Sequence, residues 1–295
     1  MDWRRRALLA ALGGAWLPAS SQEQRLTRKI PTTGEELPAV GVGTWQVFDV
    51  GADRSAREPL KEVLKVLGRG MVDSSPMYGS SESVTGDLVA ELGLRDKLFV
   101  ATKVWTSGRA EGIRQMEESF RKLRVKTMDL MQVHNLVDVA THTRTLQEWK
   151  QQGRVRYLGI THYTSSAYPE VEKSMDTRQY DFLQINYSLG ERQSEKAILG
   201  KARDLGLAVI VNRPFAEGAL FRRTKGRPLP AWAAELGIQT WAQYFLKWIV
   251  SHPAVTCVIP GTGKPEHMRD NVAAGRDPLP DEAQRKRMAQ HFDSL

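Results

Sequence analysis

Past residue 30, short apolar runs alternate with longer stretches whose apolar residues recur at helical spacing. The runs are Ala39–Gly43, Gly70–Asp73, Leu98–Lys103, Met128–His134, Tyr157–Thr161, Phe182–Asn186, Leu207–Asn212 and Val255–Ile259. They are rich in Val, Ile and Leu with little polar alternation, as befits strands covered on both faces of a parallel sheet. The stretches between them, such as Ala110–Leu123 and Glu195–Leu205, carry the period of amphipathic helices. Gly68, Gly93, Gly153 and Gly206 are the predicted helix stops, because glycine takes the left-handed conformation that a helix end needs. Eight buried strands alternating with helices, with no linker, predict a single eight-stranded parallel βα-barrel of the TIM type over residues 22–295. A doubly wound open sheet is the alternative. It would carry a dinucleotide fingerprint after its first strand, yet Gln46 stands where the third glycine should follow Gly41-x-Gly43.

The runs close on polar residues. The second ends in Asp73, the third in Lys103, the fourth in His134 and the fifth in Thr161; Gln184 lies within the sixth, and Asn212-Arg213-Pro214 closes the seventh. Taken singly, Asp73 fits a helix cap, Lys103 a solvated lysine and His134 a satisfied core residue. In a barrel, however, these ends gather on the C-terminal face, where active sites of this fold are built, and their convergence points to a site.

Composition narrows the chemistry. Cys257 is the single cysteine, so there is no intrachain disulfide and no cysteine cluster for a metal, and the six histidines are scattered. No metal site is predicted. The formal charge of +8 comes without a Lys/Arg run with interleaved aromatics outside the first residues, which argues against nucleic acid. At the N-terminus, Arg4, Arg5 and Arg6 precede the apolar stretch Ala7–Leu17 and the small-residue exit Pro18-Ala-Ser-Ser21. Residues 1–21 therefore read as a secretory signal, its Arg5-Arg6-Ala7-Leu8-Leu9 of the twin-arginine type that exports folded proteins to the periplasm. Removing them takes away three arginines and Asp2, lowering the charge by two to +6. No later segment is apolar for long enough to span a bilayer. A monomer is expected.

Gly41-Val-Gly-Thr-Trp45, Asp73-x-x-x-x-Tyr78-Gly79, Thr102-Lys103 and Asp129-Leu-x-x-x-His134 occur in that order, followed by Ile259-Pro-Gly-Thr-Gly-Lys-Pro-Glu-His-Met-Arg-Asp-Asn271. Together they resemble the aldo/keto reductases, from about residue 29 into the final helix. The last segment is similar to that family's cofactor-phosphate segment. It is not a Walker loop, since Val258 stands where the first glycine belongs and Pro265 where Ser or Thr belongs.

The resemblance implies reduction of a small carbonyl substrate with NADPH, and NADH as the other dinucleotide to consider. Tyr78 is then the general acid, Lys103 and Asp73 the pair that tunes it, and His134 a second donor to the substrate oxygen. The chemistry is consistent. A phenol is a weak acid unless a cation lowers its pKa, and a carboxylate holds such a cation in place. Tyr78 is expected one turn into the helix after Asp73. The implied cofactor wall comprises Gly43, Thr44, Asp73, Thr161, His162, Gln184, Asn212, Arg213, Pro214, Phe215, Ile259, Pro260, Gly261, Thr262, His267 and Asn271. Several of these depart from the family pattern. Thr161-His162 replaces Ser-Asn, Asn212 an aromatic, Gly261 a Lys and His267 an Arg; Arg213 is a new candidate phosphate partner. Trp45 and Trp105 are expected to wall the substrate pocket, and the chain ends at Leu295 without the long C-terminal loop of many members. Two other classes fit parts of the pattern: a Schiff-base aldolase using Lys103 as nucleophile, and a ligand-binding barrel without turnover.

Overall fold

Strands that are apolar on both sides have to be covered on both sides, and a closed barrel does this. The computed structural model describes residues 25–295, so the residues assigned to the export signal lie outside the described residues. A short antiparallel hairpin, β1 (Thr27–Lys29) and β2 (Glu36–Pro38), comes first. Eight parallel strands then line up in sequence order: β3 (Val42–Gly43), β4 (Gly70–Asp73), β5 (Leu98–Val104), β6 (Met128–His134), β7 (Val155–Thr161), β8 (Phe182–Asn186), β9 (Ala208–Asn212) and β10 (Val255–Val258). Bridges from Val40 to Val258 and from Gly43 to Gly261 join the first barrel strand to the last. The chain comes close enough for this because residue 41 is glycine: a Cβ there would lie 2.6 Å from the Met71 carbonyl oxygen. The predicted barrel is the observed one.

Helices α1 (Arg54–Leu67), α2 (Ser81–Glu91), α3 (Arg109–Leu123), α4 (Val139–Gln151), α5 (Tyr168–Asp176) and α6 (Ile198–Asp204) alternate with the strands. Four more follow β9: α7 (Ala219–Thr224), α8 (Trp241–Val250), α9 (Pro265–Ala273) and α10 (Glu282–Asp293). Gly68, Gly93, Gly153 and Gly206 all have positive φ at helix ends, as predicted. The stretch Glu195–Leu205 is not one helix. A 3-10 turn over Gln193–Lys196 is separated from α6 by Ala197, whose backbone is not helical, because Glu195 is held by Arg285 of α10 at 2.9 Å and by the Tyr187 hydroxyl.

The side chains sort into two apolar bodies. The larger one lies between strands and helices. The smaller fills the barrel and includes Met71, Phe99, Ala101, Leu130, Tyr157, Phe182, Ala208, Ile210 and Cys257, closed below by Ile30 and Leu37 of the hairpin region. Among the described residues no helix is long and apolar enough to cross a membrane.

Candidate active site

Successive strand residues face opposite sides, so counting in twos from the interior residues identifies what lies above them. From Met71 the count reaches Asp73, and from Ala101 it reaches Lys103. From Leu130 it gives Gln132 and His134, from Tyr157 Thr161, from Phe182 Gln184, and from Ile210 Asn212. The apolar filling of the barrel therefore gives way to a polar layer at the C-terminal mouth.

Lys103 and Asp73 are the centre of that layer. The lysine is fully buried, and its Nζ lies 2.6 Å from Asp73 Oδ2 and donates to the Ser74 carbonyl at 2.7 Å. The other Asp73 oxygen accepts from Gln132 Nε2 at 3.0 Å and Gln184 Nε2 at 2.9 Å. Burial by itself would drive the lysine toward neutrality, but the Asp73 charge and the Tyr78 oxygen outweigh it, and its pKa stands above the ordinary value. The ammonium is a fixed cation. A lysine held so is not the free amine that a Schiff-base aldolase requires.

Tyr78 lies over this cation, with Lys103 Nζ 5.0 Å from its ring centroid. Two expectations about it need correction. It is not inside a helix: Tyr78 N–H donates to the Ser75 carbonyl at 3.0 Å in a turn, and α2 begins only at Ser81. The cause is Gly79, whose φ of 58° interrupts the helix where the Asp49 carboxylate packs against it. Nor is the phenol more acidic than usual. Burial raises its pKa, and Lys103 pulls it back only in part. Lys103 therefore limits the rise rather than producing a net fall.

His134 faces Tyr78 edge-on, ring centroids 6.0 Å apart, with Trp105 at 6.4 Å. Burial, then repulsion from Lys103 and from His162, pulls its pKa down to about 2, so the imidazole is neutral at working pH. These residues line one cavity of about 570 Å³ that continues past Thr161, Gln184 and Asn212 to Ile259 and Gly261. Trp45 and Trp105, 47% and 40% exposed, stand at its mouth with Met77 and Tyr163. Gly43, Thr44, Arg213, Pro214 and Phe215 line it as well.

Several predicted cofactor residues have partners within the protein. The Thr44 hydroxyl bonds the Asp73 carbonyl at 3.1 Å and Ser74 Oγ at 2.9 Å. The Gln184 amide is used at both ends, since its oxygen accepts from Thr161 at 3.2 Å. Asn212 donates to the His162 carbonyl at 3.1 Å and keeps a buried, unpartnered oxygen. Arg213 turns to the Tyr163 carbonyl at 3.0 Å and to Glu217 at 3.3 Å. Pro260 accepts from Gly43 N–H at 3.4 Å. Thr262, the exposed His267 and the buried Asn271 lie at and along α9. Sequence reasoning passed over Ser75, Gln132 and Tyr163. Gln132 was within reach, lying two residues before His134 on one strand and hence on the same face.

Comparison with known proteins agrees with this geometry. The profile of the aldo/keto reductase family matches residues 39–291. The chain belongs to the aldo/keto reductase family. Among its members, "Methylglyoxal reductase YeaE" of Escherichia coli is 29% identical over 248 residues, covering 80% of this chain and 85% of that protein. "Methylglyoxal reductase DkgB" of Salmonella typhimurium is 27% identical, covering 81% and 87%. An aldo/keto reductase from Klebsiella pneumoniae, solved in complex with NADP and acetate, superposes with a TM-score of 0.74 at 24% identity, covering 88% of this chain and 93% of that one.

The buried pair makes a stability prediction. Lys103→Met leaves Asp73 buried without its cation and is expected to cost about 3–5 kcal/mol. Adding Asp73→Asn removes the stranded charge, so the double variant is expected to recover about 1 kcal/mol or more. Chemical denaturation of both variants checks this; a double variant no more stable than Lys103→Met would contradict it.

Proposed function

We infer that this chain reduces an aldehyde or ketone to the alcohol, with NADPH as hydride donor. One observation carries the reading: a half-buried phenol, backed by a fixed lysine cation and beside a neutral histidine, in one cavity at the barrel mouth. The cavity suits a dinucleotide. The unpartnered Asn212 oxygen is an acceptor fit for a carboxamide N–H, and the far end opens at Gly261, whose missing side chain leaves the backbone exposed. The N-terminus of α9 lies beyond, where unpaired backbone N–H groups favour a phosphate. Thr161, His162 and Asn212 would hold the nicotinamide end, and Thr262, His267 and Asn271 the phosphate end. With Gly261 and His267 at positions where the family carries cations, NADH is the competing donor. When bound, the reduced dinucleotide supplies the hydride.

The protein's own groups handle the oxygen. Tyr78 gives its proton to the developing alkoxide, and Lys103 stabilises the phenolate left behind. Asp73, fixed by Gln132 and Gln184, keeps the ammonium in place. His134 donates a second hydrogen bond, which its neutrality permits. Trp45, Met77, Trp105 and Tyr163 form apolar walls suited to a small apolar or aromatic carbonyl, and the relatives named methylglyoxal reductase support a small carbonyl substrate. Residues 1–21 export the folded barrel, residues 22–295, to the periplasm.

Tyr78→Phe is expected to lower turnover of a test aldehyde about 10²- to 10⁴-fold while NADPH binding, read by fluorescence quenching, stays nearly unchanged. A loss below about tenfold removes Tyr78 from the mechanism, and wild-type binding without turnover favours the non-catalytic barrel.

The pH profile of reduction follows from the same groups. The active form of Tyr78 is protonated, and its raised pKa keeps it so above its ordinary value of about 10. His134 titrates at about 2 and stays neutral. The kcat at saturating NADPH is therefore expected to be flat from about pH 6 to 9 and to fall only at more alkaline pH. A step centred near pH 6.5 would assign a titrating histidine to the reaction instead.

For the export signal, changing Arg5 and Arg6 together to Lys is expected to leave active protein in the cytoplasm. Arrival of that variant in the periplasm would replace the twin-arginine route with a general secretory one.

A further inference from the structure

His134 is useful to a carbonyl oxygen only if the ring nitrogen facing that oxygen carries the hydrogen. A neutral imidazole has one N–H and one bare nitrogen, and what bonds one of them fixes the other. Here Nδ1 lies 3.2 Å from the Ser75 hydroxyl, and both side chains are buried. Ser75 is two residues past Asp73, at the start of the turn that carries Tyr78, whose N–H it accepts on its carbonyl. The Met77 N–H is directed at the same hydroxyl oxygen at 3.4 Å. Among the described residues, Nδ1 is the one acceptor within reach of the Ser75 hydroxyl hydrogen.

Two arrangements are conceivable, and they differ in how many groups are left unsatisfied. With the proton on Nδ1, the Ser75 oxygen receives two donors, and its own hydrogen is buried with no acceptor. The bare Nε2 would then present a lone pair to the cavity. With the proton on Nε2, Ser75 accepts from Met77 and donates to Nδ1, so every group is paired except Nε2–H, which is free for a ligand. An unmade hydrogen bond in a dry interior is the costlier state, and the second arrangement prevails.

We propose that Ser75 is a positioning residue whose hydroxyl holds His134 in the Nε2–H form, so that the ring offers a donor to the carbonyl oxygen beside Tyr78. This rests on the reductase reading of the site. Nε2–H shares the developing negative charge with Tyr78, whereas a lone pair there would repel it. Ser75 itself touches neither substrate nor cofactor; it acts through His134.

The test reads the ring directly. A two-bond proton–nitrogen correlation spectrum of ¹⁵N-labelled protein, with the His134 signals assigned by their loss in His134→Gln, is expected to show the proton on Nε2. In Ser75→Ala, which removes one oxygen and adds no bulk, the ring is expected to shift toward the Nδ1–H form. The kcat for a test aldehyde should fall about three- to tenfold, the scale of one hydrogen bond. The dissociation constant of NADPH should stay within about twofold, because no cofactor contact is altered. Ser75→Thr restores a hydroxyl and is expected to restore both the tautomer and most of the turnover. The proposal is overturned by a wild-type ring protonated on Nδ1, by an alanine variant whose tautomer is unchanged, or by a changed tautomer with unaltered kcat. A wild type that reduces no carbonyl would overturn the reductase reading instead, and the ring spectrum would still decide whether Ser75 sets the tautomer.

Discussion

An ammonium group in the middle of a protein needs a counter-charge within bonding distance. The contact between Lys103 and Asp73, 2.6 Å with both side chains nearly inaccessible, is the interaction on which the rest of this site depends. It explains why the barrel interior changes character along its axis. Below the pair, aromatic and aliphatic side chains fill the space. At its level, two glutamine amides complete the coordination of the aspartate and are themselves fixed by it. A charge pair in such a place is a poor source of stability compared with apolar packing, and its retention is better understood through the groups it acts on.

Those groups are pulled in opposite directions. Burial makes the Tyr78 phenol harder to ionise, and the lysine makes it easier; burial prevails in the free protein. The phenol thus keeps its proton in the free protein, and in the proposed reaction the cation that would stabilise the phenolate is already in position. The same positive charge, added to burial, keeps His134 neutral. In the proposed reaction one cation therefore suits two neighbours to donating hydrogen bonds to the same oxygen, and the serine behind His134 selects which ring nitrogen does so.

Much of this was legible along the chain. The eight apolar runs fix the strand count, and their polar ends place Asp73, Lys103 and His134 on one face, because any βα-barrel gathers those ends together. Gln132 was equally legible, since strand parity is a local property. The left-handed glycines after four helices were also readable, because no tertiary contact is needed to make a helix stop there. The apolar pattern of Glu195–Leu205 was misleading by comparison, as it carries no information about the arginine in the last helix that breaks it.

What the sequence by itself determined was therefore the barrel, its order and the identity of the groups at its mouth, all of which follow from period, parity and connection rules that act over a few residues. Only the tertiary structure decided how those groups behave. Tyr78 lies in a turn because Asp49, nearly thirty residues earlier, packs against Gly79. Its acidity depends on the balance between burial and one cation from the neighbouring strand. The donor nitrogen of His134 depends on a serine 59 positions away in the chain. Solvation and hydrogen-bond partnership are properties of the space around a side chain, and in a barrel that space is assembled from segments far apart in sequence.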